Sequence, residues 1–106
     1  MLNSNLNHVF AFDKLEIVLN TFSLDKKDYT MKEFCEALPT NIAIQFTHNY
    51  KLGCKITDAP GNFGVMCVNK GYNNKYLNAI LYDYKGGIYK FKYGTDTESN
   101  GWYEYI

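Results

Sequence analysis

The sequence predicts an α+β domain over residues 1–106, with two N-terminal helices packed on one face of a mainly antiparallel sheet of about five to six strands. Three observations predict it. A capped, amphipathic stretch ends at Pro39. Beyond it the apolar period changes from helical to two. A Gly86-Gly87 pair then lies between two aromatic, strand-like runs. At 106 residues and 12.3 kDa, the chain suits one domain. A domain of this size buries roughly two thirds of its unfolded surface, so it can fold without a metal or a disulfide.

The first helix is predicted over about residues 12–22. Phe12, Leu15, Leu19 and Phe22 recur at helical steps with Val18 beside them, and Asp13, Lys14, Glu16 and Asn20 fill much of the other face. Ile17 interrupts that polar side, so residues 15–19 are also compatible with a strand. Residues 23–29 are polar and predict a loop. The second helix is predicted over 30–38. Thr30 and Glu33 have the spacing of a capping box, Met31, Phe34, Cys35 and Leu38 form one apolar stripe, and Pro39 stops the helix by lacking an amide donor.

Ile42, Ile44 and Phe46 then alternate with Ala43, Gln45 and Thr47 as a strand, with His48 and Asn49 opening a turn. Tyr50, Leu52, Cys54 and Ile56 alternate as the next strand, and residues 58–62 carry a Pro-Gly turn signal. Residues 63–68 are apolar on both sides, which predicts a central strand covered on both faces. Residues 69–74 predict a polar loop. Reading Gly86-Gly87 as a two-residue hairpin turn pairs Lys85 with Ile88, Tyr84 with Tyr89, Asp83 with Lys90, Tyr82 with Phe91, and Ile80 with Tyr93. That register puts the rings on one face and the lysines on the other. The inward face of the sheet is then expected to include Ile42, Ile44, Phe46, Tyr82 and Phe91. Residues 95–101 predict a loop and 102–106 a last strand.

Eleven lysines balance eleven acids, and arginine is absent. Zero net charge argues against coating nucleic acid or membrane by bulk charge. Without arginine there is no bidentate fork for a guanine edge or a phosphate. Asn and Lys are abundant beside ten Tyr and seven Phe, the bias that an AT-rich genome writes. The three cysteines Cys35, Cys54 and Cys67 leave one over after any pairing, although Cys54 and Cys67 can pair if their strands are neighbours. Residues 1–8 are polar and no apolar run approaches a membrane span of about 20 residues. A reducing, cytoplasmic setting without membrane contact is the expectation.

The candidate chemical sites have plain structural readings. Cys54, Cys67 and His48 lack the local spacing of metal ligands. His8 and His48 are the sole imidazoles, and no third group in the sequence orients either as a base toward a nucleophile. Asp25 with Asp28 and Glu33 with Glu36 read as solvated pairs, Glu33 being used by the cap. Gly61-Asn62-Phe63-Gly64 has the G-x-x-G spacing of RNA clamp loops, which lie between helices. Here the motif lies between predicted strands, and no basic residue lies inside it. The sequence therefore predicts no enzyme and no cofactor.

Two surfaces carry the functional expectations. The C-terminal segment combines Asp96 and Glu98 with Trp102, Tyr103, Glu104 and Tyr105, an acidic and aromatic stretch suited to a basic protein surface. Residues 59–93 hold five lysines against one aspartate, and Lys70, Lys75, Lys90 and Lys92 are the candidates for contact with nucleic acid. The first expectation is a non-catalytic module that binds a host or competitor protein, in the manner of phage or mobile-element inhibitors of host defence, with anti-CRISPR and anti-restriction roles as examples. The alternatives are a small nucleic-acid-binding protein and a homomeric structural protein, a homodimer burying the same surface.

Overall fold

A computed structural model describes residues 9–72, 76–94 and 100–105. The elements in chain order are β1 (Phe10–Phe12), α1 (Leu15–Thr21), β2 (Asp28–Tyr29), α2 (Met31–Ala37), β3 (Ile42–Asn49), β4 (Lys55–Ile56), β5 (Phe63–Lys70), β6 (Tyr76–Asp83), β7 (Ile88–Gly94) and β8 (Gly101–Glu104). Six strands form one sheet in the order β1-β3-β5-β6-β7-β8, with β1 parallel to β3 and every other pair antiparallel. β2 and β4 make a separate parallel pair. The α+β class, with two helices on a mostly antiparallel sheet, is as the sequence predicts.

Both helices pack on the same face. α2 begins with the capping box: Glu33 N–H donates to Thr30 Oγ1 (3.2 Å) and Thr30 N–H donates to Glu33 Oε1 (3.0 Å). Its stripe of Met31, Phe34 and Cys35 is buried, and Phe34 meets Phe46 of β3 edge to face at 5.7 Å. α1 has no side-chain cap and is held by burying Leu15, Val18 and Leu19. The sheet contributes Ile44, Phe46, Met66, Val68, Leu77, Ala79, Leu81 and Phe91 to the same core.

Several expectations are corrected. Phe12 belongs to β1, opposite Phe46, and not to the first helix. It meets Phe22 beyond the helix end at 6.1 Å, so helical spacing here comes from two rings flanking one short helix. The 23–29 segment ends in β2, where Tyr29 is buried. His48 and Asn49 continue β3 instead of turning, and His48 extends the buried series of Ile44 and Phe46. Residues 50–54 form no strand. Tyr50 and Leu52 are exposed, and β4 covers Lys55 and Ile56 alone.

β5 is central but covered on one face, since Phe63 and Val65 are exposed. It also runs on through Asn69 and Lys70, which the sequence assigned to a loop. Gly64 allows the close approach of β6: a Cβ there would stand 2.1 Å from the Tyr82 carbonyl oxygen.

The β6–β7 hairpin is shifted by three residues. Tyr82 faces Ile88, Leu81 faces Tyr89, Ala79 faces Phe91 and Leu77 faces Tyr93. Tyr84, Lys85 and Gly86 form the loop: Asp83 N–H donates to Gly87 O, Gly86 N–H donates to Asp83 O, and Gly86 takes φ +103°. Such three-residue loops require a left-handed residue that glycine supplies. Asp83 Oδ2 accepts from Lys85 N–H at 3.1 Å and steadies the turn. An odd shift exchanges the faces of β6, so Tyr82 is exposed and Leu81 takes the inward place expected for it.

Candidate functional sites

The sheet face away from the helices is open. Pairing aligns its side chains in rows that run across the strands. One row is Thr47, Val65, Tyr82 and Ile88, continued by Tyr105, whose N–H donates to Ile88 O at 2.7 Å. The next is Gln45, Cys67, Ile80, Lys90 and Tyr103. A third, polar row includes Asn69 and Asn78, whose amides meet at 3.3 Å, and Lys92. Val65 is 38 % exposed, Tyr82 47 % and Tyr103 40 %. Lys90 Nζ lies 4.9 Å from the Tyr105 ring centre and Lys92 Nζ 5.9 Å from that of Tyr103.

This arrangement divides the expected acidic and aromatic patch. Tyr103 and Tyr105 stand on the open face, where Lys90 and Lys92 are their charged neighbours. Trp102 turns to the helix side and packs on Phe91 at 5.5 Å, and Glu104 follows on that side opposite Tyr89. Alternation along β8 separates what composition grouped together. Asp96 and Glu98 lie outside the described residues.

The lysine set is also redistributed. Lys70 is 5 % exposed; its ammonium donates to Glu36 O (3.0 Å) and to Leu38 O, binding the carbonyls at the end of α2. Burial lowers its pKa. The expectation that Lys70 meets phosphate is corrected, because the residue is buried and its ammonium is engaged by these two carbonyls. Lys75 lies outside the described residues. Lys90 and Lys92 share a face with the tyrosines, correcting the register that placed them apart.

Among the described residues no group of three or more His, Cys, Asp or Glu is placed to hold a metal ion. All three cysteines are free thiols. Burial pushes the Cys35 thiol up to about 12 and raises that of Cys67, which keeps both protonated. Cys67 is on the open face, whereas Cys54 packs against the core. Among the described residues no helix is long and apolar enough to cross a membrane.

A second feature escaped the sequence reading. The end of β3, the start of β5 and the β6–β7 loop meet at one end of the sheet and enclose a groove of about 740 Å³, lined by Tyr50, Phe63, Tyr84 and Tyr89 with Lys51 and Lys85. The signal was available in principle, because successive antiparallel strands bring alternate turns to the same end. No protein-family model, curated protein or solved structure matches the chain.

Proposed function

We propose that this chain is a non-catalytic protein-binding module that inhibits its partner by occupying it, and that the open sheet face is the docking surface. The observation that supports this most is the run of uncharged side chains that β5 and β6 present at the middle of that face. Val65, Tyr82 and Ile88 lie side by side in one row and Cys67 and Ile80 in the next, with Lys90 beside Ile80, Lys92 beyond it, and Tyr103 and Tyr105 on the β8 side. An apolar centre with tyrosines and few charges is the composition of protein interfaces. The partner in this reading offers a matching apolar patch with carboxylates opposite Lys90 and Lys92. The free thiols fit action inside the cell. The AT-rich composition supports the finer reading, an inhibitor of a host defence protein such as a CRISPR effector or a restriction enzyme.

Affinity capture from host lysate, followed by titration of the recombinant partner, tests the reading with wild type and a Tyr82→Ala/Tyr105→Ala variant. Both rings are exposed, so folding is expected to survive. The variant should lose about 2 kcal/mol or more of binding. Equal affinity would remove this face as the site. A wild-type dimer dissociated by the same substitutions would assign the face to a second copy. Steeply salt-dependent binding of single-stranded nucleic acid would replace the protein partner.

A further inference from the structure

The groove at the loop end of the sheet has its own chemistry. Its lining includes four rings: Phe63 and Tyr84, which meet edge to face at 5.5 Å, Tyr50 on the chain that leaves β3, and Tyr89 of β7. The walls are tied by backbone hydrogen bonds. Tyr50 N–H donates to Asn62 O (2.8 Å) and Tyr84 N–H to Phe63 O (3.0 Å). Behind them, His48 Nε2 donates to Gly61 O at 2.8 Å and anchors the 58–62 turn to β3.

The groove's volume, about 740 Å³, is within the usual range for small-molecule sites. Its charged lining residues are Lys51, Lys85 and Asp83. Asp83 Oδ2 accepts from Lys85 N–H at the hairpin turn, which leaves the lysines in excess of the single carboxylate. A third ammonium, that of Lys55, lies over the Tyr50 ring at 5.0 Å. The groove thus offers flat apolar walls and an excess of positive charge at its rim.

We propose that this groove binds a nucleotide, with the base against Tyr84, Phe63 and Tyr50 and the phosphate at Lys51 and Lys85. Rings accept any base on their π faces, and a lysine meets phosphate as a point charge, so no arginine is required. Through Phe63 and Tyr84 the site adjoins the Val65 and Tyr82 end of the protein-docking face, but the proposal does not depend on that reading. One chemistry, a base bearing a phosphate, can come from a free nucleotide or from the end of a nucleic-acid strand.

Amide chemical shifts of the full chain, titrated with AMP, adenosine, inorganic phosphate and a 5′-phosphorylated tetranucleotide, test the proposal. AMP should move the amides of Lys51, Gly61, Asn62, Tyr84 and Lys85 saturably, with adenosine weaker. Tyr84→Ala should weaken AMP by about tenfold or more, while Lys85→Gln should weaken AMP and leave adenosine unchanged. Both side chains are exposed, and an otherwise unchanged spectrum confirms the fold. Tighter binding of the tetranucleotide than of AMP would identify a strand end as the ligand, and equal binding a free nucleotide. No saturable shift with AMP at millimolar concentration would overturn the proposal. So would equal shifts from inorganic phosphate, which would reduce the site to a pair of lysines.

Discussion

His48 shows how one residue ties the core to the groove. It points inward from β3, is 1 % exposed, and donates from Nε2 to the Gly61 carbonyl. Burial lowers its pKa below that of an ordinary imidazole, against smaller opposing effects of the Gly61 carbonyl and Asp83. The folded state therefore binds this proton less readily than the unfolded chain does. The stability linked to His48 is complete above about pH 6.5, the ordinary imidazole value. It falls as the pH drops below that value and levels off once the pH is below the folded pKa. A His48→Gln variant should be about 1–3 kcal/mol less stable than wild type at neutral pH. The gap should narrow as the pH is lowered, because the wild type alone loses this contribution. Urea unfolding of both proteins from pH 8 downward measures it, and a constant gap would contradict the assignment. Lys70 gives the same lesson in reverse, a lysine that composition places on the surface and the fold uses to hold the end of α2.

Among the elements, α2 was fully legible. Thr30, Glu33 and Pro39 are local signals, acting over a few residues whatever the rest of the chain does. Thr30→Ala should cost about 1 kcal/mol in thermal or urea unfolding, and Thr30→Ser should recover most of it. Strand alternation in β3 was legible for the same local reason. What failed was pairing. Either hairpin register places glycine at the turn, so the turn residues alone do not choose between them. The choice is made by Leu77, Ala79 and Leu81, whose aliphatic row closes against the core beneath the larger rings of Tyr89, Phe91 and Tyr93. Matching ring to ring across the hairpin missed this, because it ignored which face meets the helices. β1 and β2 were missed, and β4 was drawn too long, because strands of two or three residues leave no period to read. The groove was missed with the register, since Tyr84 was paired inside a strand and not placed in the loop.

For the molecule as a whole, the decisive constraint is area. A six-stranded sheet is about 24 Å across at the usual strand spacing. Two helices about 10 Å in diameter, each about 10 Å long over its seven residues, serve one face of such a sheet and not two. The apolar residues on both sides of β5 therefore cannot all be core. Met66 and Val68 are buried under the helices, and Val65 faces outward. This one-sided core makes a prediction at two adjacent residues. Met66→Ala empties a fully buried site and should cost about 2–5 kcal/mol. Val65→Thr keeps the β-branched shape on an exposed face and should change stability by about 0.5 kcal/mol or less. Urea unfolding of the isolated chain, repeated over a range of protein concentrations, separates the cases. If Val65→Thr approaches the cost of Met66→Ala, and its effect grows with protein concentration, the open face is already buried by a second copy. If its cost stays small at every concentration, the face is free in the isolated chain, as docking to a different protein requires.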